Sequence, residues 1–210
     1  VAELLGAPVM TTLQGKSAFP ETHELAAGVG AYVETGMVRH YLTESDVLLA
    51  VGTSLSLASF TSVVPPGKTI IHATNDPGDL HKEYATAIAI EADAKLFLAA
   101  LAEELRGRVG PRQTELRARN VAVLAETRAE WEAGYEQEFS DDAEPINGYR
   151  MFRELWQALD PDATMLTHES GASRDIQCVF YRATVPHSYL GWGQSSQLGF
   201  SLGLAMGAKL

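Results

Sequence analysis

Between residues 7 and 105 the chain alternates short, uninterrupted apolar runs with stretches of helical periodicity, and no other feature restricts its fold so severely. The runs fall at 8–12, 47–51, 69–73 and 86–90. A strand that is apolar along its whole length needs cover on both faces, which is the situation of a parallel sheet flanked by helices. Asp93 is placed to cap a helix carrying Phe97, Leu101 and Leu105 at four-residue steps, a stripe that covers one face of such a sheet. This first unit closes near Gly107.

The pattern then changes. Residues 112–139 are charged and helical, with a thin stripe of Val123, Thr127, Trp131 and Tyr135, so the helix is expected to pack across units. Residues 140–145 hold three acidic residues and Pro145, the composition of an exposed linker. Asn147 then caps a helix with Met151 or Phe152, Leu155, Trp156 and Leu159 on its apolar face; Asp160 and Pro161 stop it, and 163–167 reads as a strand. Helix, turn and strand again indicate α/β structure, and the polar loop 168–175 leaves the carboxyl end of that strand, where open α/β sheets place ligands. The predicted fold is therefore α/β, a mainly parallel sheet flanked by helices followed by a partial second α/β unit. Its divisions are 1–107, a helical linker 108–145, and 146–210.

Charge and apolarity narrow the partners. A net charge of -11, from 27 acidic against 16 basic residues, repels phosphates over most of the surface and argues against nucleic acid and anionic membranes. The single Cys178 forms no internal disulfide, and no apolar run approaches the roughly 20 residues that span a bilayer. A cytoplasmic setting is expected. Residues 1–6 read as the last turn of a helix ending at a glycine, and 199–210 as an apolar segment with no stop signal, so further sequence is expected on both sides.

Residues 8–23, Pro-Val-Met-Thr-Thr-Leu-Gln-Gly-Lys-Ser-Ala-Phe-Pro-Glu-Thr-His, followed by Gly28 and by residues 46–53, Asp-Val-Leu-Leu-Ala-Val-Gly-Thr, resemble the central domain of the acetolactate synthase and benzoylformate decarboxylase family. The likeness continues through 69–77, Thr-Ile-Ile-His-Ala-Thr-Asn-Asp-Pro, and 91–95, Glu-Ala-Asp-Ala-Lys. Residues 167–173, Thr-His-Glu-Ser-Gly-Ala-Ser, and the glycine-rich 191–209 resemble the first part of the family's diphosphate-binding domain. The resemblance implies a thiamine-diphosphate enzyme acting on 2-oxo acids by decarboxylation or carboligation, with Mg2+ as the diphosphate's counter-ion and a homodimer or homotetramer as the assembly. A 2-oxo acid loses its carboxylate only if the electrons left behind have a sink, which is what thiamine supplies. Two family elements are expected outside this stretch: the Gly-Asp-Gly segment that holds the magnesium, past Leu210, and the pyrimidine-binding domain with its activating glutamate. This stretch alone is not expected to catalyse.

The same resemblance assigns residues. Leu198 is implied as the apolar wedge beneath the bent cofactor, and the Ser196 carbonyl as acceptor from its 4'-amino group. Ser170, Gly171, Ala172 and Ser173 are implied at the diphosphate, where small residues let backbone N–H groups approach. Some relatives carry hydroxyl or amide side chains where this chain has Gly171 and Ala172, which passes the contacts to the backbone, Ser170 and Ser173. His23 aligns with a histidine near the substrate in the decarboxylase branch, and Lys16 is implied as positive charge at the substrate entrance. His168 and Glu169 lack a second histidine at ligand spacing, so no metal is expected on them. The absence of an arginine in 53–60, after Gly52, counts against FAD. The competing reading is a non-catalytic nucleotide-binding or regulatory module of the same fold; its glycine signature, Gly52 and Asp76 after successive strands, is sparse.

Overall fold

The structure is a computed structural model and describes residues 1–191 and 197–210. A first short helix, α1 (Ala2–Leu5), ends at Gly6 in the left-handed region, as the sequence predicts, and leads into β1 (Val9–Thr12). β2 (Ala26–Gly30) pairs parallel with it. Then follow α2 (Gly36–Glu44), β3 (Val47–Val51), β4 (Thr69–Thr74) and β5 (Ile88–Glu91), the three strands parallel in that order. α3 (Ala94–Arg106) starts at Asp93, whose carboxylate accepts from Leu96 N at 3.0 Å. Phe97, Leu101 and Leu105 form its half-buried row while Leu96 is 69% exposed, so the predicted stripe is the inward one.

Parallel strands flanked by helices are thus present, with one difference of detail. Instead of a single mainly parallel sheet, the described residues of this unit form a two-stranded and a three-stranded sheet. β2 and α2 are absent from the sequence reading for a physical reason. Ala-Ala-Gly-Val-Gly carries little β-branched signal, because its small residues admit a close neighbour. Thr35, the N-cap of α2, donates its hydroxyl to Ala27 O at 2.6 Å, and a Cβ on Gly28 (φ 95°) would meet Thr35 Cγ2 at 2.7 Å. Only glycine suits that point.

α4 (Pro111–Ala133) packs on α1 and α2. Its buried residues are Asn120 and Leu124, one position along from the expected Val123 stripe, whose members are half-buried. Leu124 is fully buried with Leu25, Ala27, Met37, Val38 and Leu42, and burial of such a side chain contributes about 1.5–3 kcal/mol. Asn120 Nδ2 donates to Gly6 O at 2.7 Å and its Oδ1 accepts from Tyr41 at 3.2 Å, which sets the α4 register. The thin stripe misled because part of the packing surface of α4 is polar.

Residues 136–140 add α5 (Glu136–Ser140), then α6 (Gly148–Ala158), capped by Asn147 as predicted. β6 (Leu166–Thr167) is shorter than the expected 163–167. α7 (Ala172–Phe180) begins inside the expected loop, β7 (Tyr189–Leu190) pairs parallel with β6, and α8 (Ser201–Lys209) closes the described chain. One buried cluster joins Leu13, Val29 and Ala31 to Leu166, Cys178, Tyr181, Ala183 and Tyr189, so the elements before and after α4 share a core.

Candidate functional site

The carboxyl end of β6 and the start of α7 form the polar corner at which the sequence places its ligand. Gly171 precedes α7 with φ 70° and ψ -148°, a conformation that side chains avoid, and a Cβ there would stand in open space. The requirement at Gly171 is therefore conformational and not steric. Among the described residues no side chain caps α7; Arg174 N and Asp175 N donate to Gly171 O, which leaves the N–H groups of Ala172 and Ser173 and the positive end of the helix dipole at the Ser170–Ser173 turn. Ser173 Oγ donates to Ser170 O at 3.0 Å, holding the turn closed while its oxygen lone pairs stay available. Asp175, in the same first turn, opposes an anion, but Arg174 Nε binds it at 2.8 Å.

Behind this turn lies a buried polar layer. Arg174 is 5% exposed and its guanidinium sits 4.4 Å over the Phe60 ring, linking α7 to the first unit. His168 Nδ1 lies 2.8 Å from Glu169 O, so that nitrogen carries the proton and donates, while Nε2 is buried with no hydrogen-bond partner among the described residues. The imidazole stacks on Tyr189 at 5.2 Å and fills the space over Gly191, where a Cβ would fall 1.8 Å from Nε2. Burial pulls the His168 pKa below 6.5, against the Glu169 carbonyl, which raises it. Burial also pushes the Cys178 thiol up to about 12, leaving it inert, and holds the Tyr189 hydroxyl protonated.

A pH dependence follows. Because the folded His168 holds a proton less readily than the unfolded one, the unfolded chain takes up the proton first as pH falls below 6.5. Stability present above that value is lost as pH drops towards the lowered one. His168→Gln should flatten this loss, and urea midpoints compared at neutral pH and about one unit below 6.5 measure it.

The structure brings some predicted residues together and separates others. Ser170, Gly171, Ala172 and Ser173 form the turn just described, whereas Leu198 stands 25 residues further along the chain, just ahead of α8, and is 74% exposed. Ser196 lies outside the described residues. His23 accepts from Leu25 N at Nδ1 (3.1 Å), approaches Glu3 at 3.4 Å and meets Phe19 edge-on, contacts that are all on the first unit. Lys16 departs furthest from expectation: it is 2% exposed and its charge is spent on Glu21, not offered at an entrance. Glu21 Oε2 also accepts from Ala183 N at 2.7 Å, and Glu21 N donates to Ala183 O at 2.9 Å. Lys16 Nζ lies 5.1 Å over the Tyr189 ring. Burial lowers the Lys16 pKa, and Glu21 partly restores it.

Two functional contributors were missed in the sequence. Glu21 carries no local signal, since its partners lie far along the chain. Glu169 was weighed only as half a metal site; its carboxylate instead accepts from Ser201 N at 3.1 Å and Ser201 Oγ at 2.9 Å. Bonds from the Gly199 and Ser201 backbones hold its pKa below the ordinary glutamate value. Among the described residues no group of three His, Cys, Asp or Glu side chains is arranged to hold a metal. A separate cleft of about 330 Å³ lies between the units, lined by Tyr32, Glu34, Arg39, Ser62, Trp131 and Phe180 among others, and none of the predicted site residues lines it.

Residues 1–101 match the family described as "Thiamine pyrophosphate enzyme, central domain". The whole chain is 29% identical to the probable acetolactate synthase large subunit of Methanocaldococcus jannaschii, covering 35% of that protein. It is likewise 29% identical to the acetolactate synthase of Mycobacterium avium, of which it covers 33%. With the acetolactate synthase isozyme 3 large subunit of Escherichia coli K12 the identity is 27% over 99% of this chain and 36% of the relative. The chain spans about a third of the length of these curated relatives.

Proposed function

We propose that the chain, whose residues 1–101 match the central domain of thiamine pyrophosphate enzymes, is part of a thiamine-diphosphate-dependent enzyme that acts on 2-oxo acids in the manner of acetolactate synthase. The observation that carries this reading is the uncapped, glycine-initiated start of α7 at the end of β6, within a chain whose full length aligns with acetolactate synthase large subunits. We divide it into a central domain (1–107), a helical linker (108–145) and the start of the diphosphate-binding domain (146–210).

The donor set fits a diphosphate. The Ala172 and Ser173 N–H groups of α7 offer directed hydrogen bonds along a favourable dipole, Ser170 and Ser173 add hydroxyls, and Gly171 permits close approach. The charge of Arg174 is matched by Asp175 through Nε, so the reading includes Mg2+ held by residues beyond this stretch to neutralise the diphosphate. Bound thiamine diphosphate supplies the electron sink for the bond broken next to the 2-oxo group. The chain's own part is to hold one end of the cofactor at α7, to support its rings with Leu198, and to keep the layer behind the turn dry and rigid through His168, Tyr189 and Arg174. His23, partly exposed and tied to Glu3, can reach a substrate only from the first unit's side. Nothing described favours FAD, whose arginine is missing after Gly52. The assembly is a homodimer or homotetramer in the cytoplasm, and no described helix is long and apolar enough to cross a membrane.

The regulatory-module alternative is not favoured, because the likeness to proteins named as acetolactate synthases runs through both units and not only the first. The test is a panel of 2-oxo acids with the full-length protein, thiamine diphosphate and Mg2+, read by carbon dioxide release and by hydroxy-ketone or aldehyde formation. Cofactor-dependent conversion of at least one acid is expected; no conversion of any, with the protein folded and cofactor present, overturns the reading.

A further inference from the structure

The Glu169 carboxylate joins the two halves of the candidate site. β6 ends at Thr167, the Ser170–Ser173 turn follows at once, and Leu198 arrives from a separate segment just ahead of α8. Glu169 Oε1 accepts from Ser201 N at 3.1 Å and Ser201 Oγ at 2.9 Å, and Gly199 N also donates to this carboxylate. Thr167 Oγ1 lies 3.4 Å from Ser201 O, so Ser201 is gripped from two residues that precede the turn. The N-cap of α8 is Phe200, which has no side-chain acceptor; the acceptor comes from another element. A carboxylate there satisfies orphan N–H groups and suits the helix dipole.

An ordinary cap would lie next to its own helix in sequence and would stabilise that helix alone. This one lies next to Ser170 and therefore fixes a distance between elements. Leu198 needs such a fixture, because at 74% exposure its own packing does not determine where it stands. Gly199, the residue after it, has φ 85° and brings conformational freedom that only an external anchor removes.

We propose that Glu169 is a positioning residue of the cofactor site, pinning the start of α8, and with it Leu198, at a fixed distance from the Ser170–Ser173 turn. This rests on the functional reading given above. The carboxylate touches neither reacting atoms nor cofactor in this scheme; it acts through Gly199 and Ser201.

The test uses the full-length protein with Glu169→Ala, Glu169→Gln and Ser201→Ala. Amide exchange across 197–205 is followed without cofactor, and thiamine diphosphate affinity and kcat are measured separately. In Glu169→Ala, exchange at Gly199 and Ser201 should accelerate by about tenfold or more, and kcat should fall by about tenfold while cofactor Kd stays within about threefold. Glu169→Gln keeps an acceptor oxygen and should recover most of kcat, and Ser201→Ala, which loses one of the donors, should shift exchange in the same direction by less. Unchanged exchange in Glu169→Ala overturns the anchor, and so does a joint loss of kcat and cofactor affinity that Glu169→Gln fails to relieve. Wild-type protein that does not bind thiamine diphosphate overturns the functional reading instead, and the exchange measurement still decides whether the anchor exists.

Discussion

Replacing Glu21 with alanine should lower the stability of the protein by about 3–5 kcal/mol, the cost of leaving one member of a buried ion pair alone. Lys16 and Glu21 are 2% and 8% exposed, and they pair directly. Removing the carboxylate leaves the Lys16 ammonium with the Tyr189 ring as its only described electrostatic support and leaves Ala183 N, itself fully buried, without its acceptor. Because Glu21 and Ala183 bond to each other from the stretches before and after α4 that share this core, the loss should appear as a loosened junction as well as a lower urea midpoint. Lys16→Met combined with Glu21→Gln removes both charges and should regain much of the loss, since the large ionic desolvation penalty is gone and the amide oxygen can still accept from Ala183 N. A Glu21→Ala protein within about 1 kcal/mol of wild type would show that the pair contributes nothing net.

Leu198→Ala addresses the chemistry instead of the fold. If Leu198 supports the cofactor rings in the full-length enzyme, its truncation should slow turnover by tenfold or more while leaving diphosphate affinity almost intact, because the anchoring donors lie on α7. Truncating a leucine packed against a partner costs about 2–5 kcal/mol, and about 1.4 kcal/mol is one decade of rate. In the structure Leu198 is 74% exposed, so among the described residues its side chain is largely unpacked. Methionine or isoleucine at this position should restore part of the rate. Slower hydrogen–deuterium exchange at the thiazolium carbon with nearly constant Kd is the expected signature, and unchanged turnover would remove Leu198 from the site.

The elements that could be read from sequence are those whose signal is local. Asp93 and Asn147 cap the helices that they were expected to cap, and the runs at 47–51 and 69–73 coincide closely with β3 and β4. What escaped depends on distant partners. β2 is built from small residues because Thr35 presses against Gly28, and the inward face of α4 includes Asn120 because Gly6 and Tyr41 meet it there. The site divides in the same way. The Ser170–Ser173 turn is visible as a polar run after a strand, whereas a lysine in Leu-Gln-Gly-Lys looks solvated until Glu21 and Ala183 are seen to enclose it. Glu169 beside His168 offers no metal site at ligand spacing and no other local signal, and only the position of Ser201 reveals its bonds.

On the proposed reading, the β6–α7 turn holds a diphosphate while the segment before α8 supports the rest of the same cofactor. Amide exchange of the full-length protein, recorded with and without thiamine diphosphate and Mg2+, tests this directly. Protection is predicted at 170–175 and again at 197–201, with the first-turn amides of Ala172 and Ser173 among the most slowed; binding without protection in either segment, or protection confined to the cleft lined by Tyr32 and Trp131, would contradict it.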